Sequence, residues 1–75
     1  MARLNYHIAP VPSGWQVTCN GVGSASYRER NVAVIDTLAI AERLRAQGNH
    51  VEVRLVEMDG IGRQLEPQDA KLFNQ

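Results

Sequence analysis

The sequence predicts an α+β domain with a single antiparallel sheet, in the order β-β-(β)-α-β-β, and one helix packed across one face of the sheet. Three observations support this prediction: alternating apolar residues near both ends, an amphipathic segment between them, and the turn dipeptides Asn20-Gly21 and Asp59-Gly60. A chain of 75 residues has room for one domain. We assign this domain to residues 1–66, and we expect residues 67–75 to form a tail that is frayed or a single helical turn.

The N-terminal residues predict two strands joined by a proline-containing loop. Apolar and polar residues alternate over residues 3–9, and we expect Pro10 to end this strand because proline has no N–H to donate. The second strand begins at Gly14, and the single tryptophan, Trp15, is expected to be a buried anchor of the core. The side chains expected on the core side of these strands are Leu4, Tyr6, Ile8, Trp15, Val17 and Cys19.

A hairpin turn follows the second strand. Asn20-Gly21 is typical of a type I′ turn, because both residues tolerate a positive φ. The residues after the turn are small, so we expect a short third strand at residues 24–28, with Gly23 as a possible bulge position.

A long helix is predicted over residues 32–47, which contain neither glycine nor proline. Asn31 is expected to cap its start, and Gly48-Asn49 is expected to end it in a left-handed conformation. The side chains expected to face the sheet are Ala33, Val34, Thr37, Leu38, Ile40, Ala41 and Leu44.

Two further strands are predicted after the helix. Apolar and polar residues alternate over most of residues 50–57, with Val51, Val53 and Leu55 facing inward. Asp59-Gly60 predicts another type I′ turn, and Ile61 is expected to return to the core in a last strand over residues 61–65.

The order of these segments resembles a bacterial family catalogued as domain of unknown function 2188. The matching pieces are Tyr6-His7-Ile8, Gly14-Trp15-Gln16-Val17, residues 21–25, the helix that ends at Gly48, and Asp59-Gly60-Ile61. The resemblance spans residues 4–65. It implies a fold of this class and a bacterial origin, and it carries no activity because none is attached to the family.

Composition and residue types argue against several function classes. Eight basic and eight acidic side chains give a net charge of zero, whereas dedicated nucleic-acid binders are basic. Cys19 is the single cysteine, and His7 and His50 are the only imidazoles, so we predict no disulfide, no metal site and no cofactor. The sequence has no nucleophile and base at a spacing that would indicate an enzyme, so we predict that the chain is not one. A small domain without disulfides or metal suits a reducing compartment, so the chain is predicted to be cytoplasmic, and no stretch is long and apolar enough to span a membrane.

The remaining prediction is an interaction or accessory module. The alternative is a weak nucleic-acid-binding module that uses the uncovered face of the sheet. Self-association as a homodimer is also expected, because Ile35 lies on a second apolar strip of the helix with Val32, Ala39 and Ala46. The candidate partner surface consists of Asn5, His7, Gln16, Thr18, Arg54 and Ile35.

Overall fold

A computed structural model describes residues 2–74 and shows an α+β fold with a five-stranded mixed sheet and two helices. In chain order the elements are β1 (Arg3–Val11), β2 (Gly14–Cys19), β3 (Val22–Tyr27), α1 (Arg30–Ala46), β4 (His50–Val56), β5 (Gly62–Leu65), a 3₁₀ turn (Pro67–Asp69) and α2 (Ala70–Phe73). The strand order across the sheet is β3-β2-β1-β4-β5.

The central pair of strands, β1 and β4, is parallel, so the prediction of a purely antiparallel sheet is wrong. The register runs from Arg3 beside His50 to Ile8 beside Leu55. The reason is the number of chain reversals. Strands β1 and β3 run in one direction, α1 returns the chain across the sheet, and β4 then runs in the direction of β1.

The core lies between α1 and one face of the sheet. The predicted inward faces of the helix and of β4 are confirmed, with Ile40 and Leu44 only half-buried. Trp15 is also half-buried, contrary to prediction, because α1 packs less closely on β2, the strand that carries it, than on β4. The buried apolar side chains are Tyr6, Ile8, Val17, Ala33, Val34, Leu38, Ala41, Val51, Val53, Leu55, Leu65 and Phe73.

The end of α1 is confirmed and its start is not. Gly48 has φ 93°, its N–H donates to the carbonyl of Arg45 at 2.9 Å, and the Asn49 N–H donates to the carbonyl of Leu44 at 3.1 Å. This bond pattern is a Schellman motif. At the other end the helix begins at Arg30, before the predicted Asn31 cap, and Glu29 precedes it without a side-chain cap.

The β2–β3 turn has the predicted geometry. Asn20 and Gly21 have φ values of 53° and 83°, which confirms the type I′ turn. Strand β3 starts at Val22, earlier than predicted. Gly23 and Ser24 both lie opposite Thr18 in a bulge, because the register shifts between Val17 and Thr18.

The β4–β5 turn differs from the prediction. Of Asp59 and Gly60, only Gly60 has a positive φ, of 86°, so the turn is not type I′. Instead the Glu57 N–H donates to the carbonyl of Ile61 at 3.0 Å and closes a three-residue loop. Ile61 lies at the tip of this hairpin and is 67% exposed, whereas Leu65 occupies the core position.

Strand β1 continues through Pro10 to Val11, past its predicted end. Beyond Ile8 this strand is no longer paired with β4, so the missing N–H of Pro10 lies where β1 has a neighbour on one side only. Proline is usually confined to the edges of sheets because it has no N–H to donate to a second neighbour, and Pro10 is tolerated in β1 for the same reason.

The C-terminal residues 67–73 are helical, with Pro67 at the first helical position. Phe73 is 3% exposed and belongs to the core. Two guanidinium groups cover its ring: the Cζ atoms of Arg30 and Arg63 lie 5.3 and 5.7 Å from the ring centre. Arg30 also donates to Glu57 at 3.0 Å, so this cluster ties the start of α1 to the β4–β5 hairpin.

Candidate functional site

One face of the sheet is not covered by either helix in residues 2–74, and we call it the open face. It is polar because side chains alternate along each strand and the apolar ones are directed towards α1. Its polar side chains are Arg3, Asn5 and His7 of β1, Gln16 and Thr18 of β2, Ser26 of β3, His50, Glu52 and Arg54 of β4, and Gln64 of β5.

Residues that are far apart in the chain form rows across the open face. His7 is paired with Thr18 on one side and with Arg54 on the other, and Arg54 is paired with Gln64. Asn5 and Glu52 form the neighbouring row. The parallel pairing of β1 with β4 is what brings His7 and Arg54 together.

Five of the six predicted partner residues lie on the open face: Asn5, His7, Gln16, Thr18 and Arg54. Ile35 does not, because it lies on α1, on the opposite side of the sheet, where it is half-buried against the core. In the predicted apolar strip of α1, which includes Ile35, the Val32 side chain is 47% exposed.

The predicted partner surface did not include Arg3, Glu52, His50 and Gln64, which also lie on the open face. The alternation along β1 and β4 could have identified the first three. Gln64 depends on the register between β4 and β5, which the three-residue turn determines, so no local pattern reveals it.

A shallow recess of about 20 Å³ lies between β1 and β4 on the open face. Its polar lining consists of Asn5, His7, Glu52, Arg54 and Gln64. This volume accommodates a water-sized group, whereas small-molecule sites are usually several hundred Å³. The recess is therefore too small to enclose a drug-sized molecule.

The charges on the open face are unevenly engaged. Glu52 is its single carboxylate, and Oε2 lies 3.1 Å from Nε2 of His50. The Arg54 side chain is exposed and makes no hydrogen bond or ion pair with any residue in the range 2–74. Its guanidinium is therefore free to meet an external acceptor.

The other reactive side chains lie on the core side of the sheet. Burial, with a contribution from neighbouring Cys19, raises the pKa of Tyr6, and burial with Asp36 nearby raises the pKa of Tyr27.

Across residues 2–74, histidine, cysteine and carboxylate side chains form no cluster of three or more that could hold a metal ion. The helices of the described chain are too short or too polar to cross a membrane.

Comparisons with protein-family models, with curated proteins and with solved structures find no match to this chain. The similarity to domain of unknown function 2188 therefore remains a prediction that depends on the order of the motifs.

Proposed function

We propose that this chain is a small non-catalytic interaction module that binds another protein through the open face. The observation that supports this proposal most directly is the row formed by Thr18, His7, Arg54 and Gln64 across four adjacent strands. In the described chain none of these side chains makes a hydrogen bond to another residue, so their donors and acceptors are available to a partner.

The sheet holds this row in place. Strands β1 and β4 each have a neighbour on both sides at His7 and Arg54, so the backbone beneath the row is fixed by hydrogen bonds. A preorganised surface loses little conformational entropy when it binds, which raises affinity for a given contact area. The core on the other face of the sheet supplies this rigidity without using the open face.

Nucleic acid is the second candidate, because Arg3 and Arg54 accompany several amide and hydroxyl groups on the open face. Two phosphate contacts would give a logarithmic salt slope of only about −2, typical of weak binding. All four aromatic side chains (Tyr6, Trp15, Tyr27 and Phe73) lie on the core side, so the open face lacks a base-stacking platform. These observations favour a protein partner.

The proposal includes a cytoplasmic location. Cys19 is a free thiol on the core side of β2, and a small domain that relies on its core without disulfides suits a reducing compartment.

Affinity capture with matched variants tests the proposal. The open-face variant combines His7→Ala with Arg54→Ala, and the control combines Glu42→Ala with Arg43→Ala on the exposed side of α1. We expect a protein that is retained by the wild type and the control to be lost with the open-face variant. Equal capture by all three would contradict the proposal.

A salt titration separates the two candidates. Fluorescence anisotropy with labelled single-stranded and duplex oligonucleotides is measured at low and high salt. We expect no binding by the wild type. Binding that weakens with salt and is abolished by Arg54→Ala would favour the nucleic-acid function instead.

A further inference from the structure

We infer that the partner of the open face is a second copy of this chain, with Glu52 of each copy against Arg54 of the other. This inference rests on the proposed function, since it names the occupant of the same surface. It replaces the expectation that Ile35 forms the homodimer contact, because Ile35 is half-buried against the core and lies on the other side of the sheet.

The register makes the open face self-complementary. Asn5 with Glu52 and His7 with Arg54 form two adjacent rows, separated by the two-residue step of a strand, which is about 7 Å. The pair of Tyr6 and Val53 lies between the two rows. We place a two-fold axis above this pair, parallel to the sheet and perpendicular to the strands. The row of Asn5 and Glu52 in one copy then lies against the row of His7 and Arg54 in the second copy.

Every contact in this arrangement occurs twice. Glu52 meets the free guanidinium of Arg54, and Asn5 meets His7, in both directions. A second copy therefore matches the charges of Glu52 and Arg54, and a partner with a different sequence is not needed for this. An axis parallel to the strands above the same pair would instead place Glu52 against Asn5 and Arg54 against His7, so only the perpendicular axis pairs the opposite charges.

The contact area predicts a weak, reversible dimer. Five strands spaced about 4.8 Å apart, with four to nine residues each, present roughly 500 Å² per copy. The total of about 1,000 Å² lies below the standard size of a stable interface. The two Glu52–Arg54 pairs supply the charge complementarity of this small interface, so association should weaken as salt increases.

Charge reversal with heterologous mixing tests the geometry. Sedimentation velocity over a concentration series at low salt is expected to show a dimer for the wild type. Arg54→Glu places carboxylates against each other and Glu52→Arg places guanidinium groups against each other, so each variant should bind itself on the order of tenfold more weakly. The two single variants mixed together should associate, and the double variant Glu52→Arg/Arg54→Glu should recover self-association.

The control variants are Glu42→Arg and Arg43→Glu on the exposed side of α1, which should dimerise as the wild type does. Circular dichroism verifies that every variant is folded. A wild-type dimer that is insensitive to both reversals, or single variants that fail to associate when mixed, would overturn the arrangement. A folded wild type that is monomeric at every concentration would overturn the inference that the partner is a second copy. Loss of a captured protein with the His7→Ala/Arg54→Ala variant would still support the proposed function in that case.

Discussion

Gly14 is the position at which the backbone tolerates least change. Its φ is 144°, a conformation that L-residues rarely adopt, and an added Cβ would lie 2.3 Å from the carbonyl oxygen of Tyr27. The start of β2 and the end of β3 approach so closely that there is no room for a side chain. The requirement for glycine comes from the backbone of a residue that is distant in sequence.

Gly14→Ala is therefore expected to lower the free energy of unfolding by about 2–4 kcal/mol. Gly23→Ala is the control, because a Cβ there meets only the Gln16 amide, at 3.5 Å. We expect the control to lose less than about 1 kcal/mol. Urea unfolding followed by circular dichroism measures both values, and equal losses would show that the close approach at Gly14 does not matter.

The two tyrosines predict a loss of stability in alkaline solution. Both have folded-state pKa values above the ordinary value of 10.0, chiefly because of burial. The folded state therefore holds the phenol protons more tightly than the unfolded state. The resulting stability is complete below pH 10.0 and is lost as the pH rises through the folded-state pKa values.

Denaturant unfolding below and above this pH checks the sign. We expect the free energy of unfolding to fall above pH 10.0, and to fall less in the Tyr27→Phe variant, which lacks one of the two phenols. Absorbance titration of the remaining phenol in this variant reports Tyr6 alone. A Tyr6 phenol that ionises below 10.0 would contradict the assignment.

At the scale of elements, the C-terminal helix depends on one side chain. Phe73 is 3% exposed and lies beneath the guanidinium groups of Arg30 and Arg63. A single aromatic residue in a polar tail has no periodicity, so the sequence left this segment undecided. The ring becomes core only because α1 and β5 leave a site for it.

Phe73→Ala should cost about 3–5 kcal/mol, as is usual when a buried aromatic side chain is removed. Its neighbour Leu72 is 62% exposed, and Leu72→Ala should cost less than about 0.5 kcal/mol. Thermal and urea unfolding of the two variants give the comparison. Similar small losses would mean that α2 contributes little to the core.

Local patterns predicted the elements well and their arrangement less well. Alternation identified the inward residues of β4 and the polar side of β1, including Asn5 and His7, because one-sided burial imposes a period of two. The place of β4 beside β1 depends on pairing between distant segments. Ile61 was misplaced because the turn has three residues and the hairpin tip extends beyond the core.

At the scale of the molecule, a single core connects every element. The buried set includes side chains from β1, β2, α1, β4, β5 and α2, and Ala25 and Tyr27 of β3 pack against it, so no element has a separate apolar centre. We expect one cooperative unfolding transition, with coincident midpoints for far-ultraviolet circular dichroism and for the fluorescence of Trp15 at the margin of the core. An earlier fluorescence midpoint would show that the β2–β3 side melts independently.

The parallel pairing of β1 with β4 has a consequence for the order in which the chain acquires its structure. The paired residues of these two central strands are 47 positions apart, so β1 cannot be enclosed on both sides until β4 has been synthesised. Contacts at such separation slow folding, because a long loop must close before they form. During translation the β1–β2–β3 meander emerges first with an unpaired inner edge, and the strand made earliest is completed only when the helix and β4 have left the ribosome.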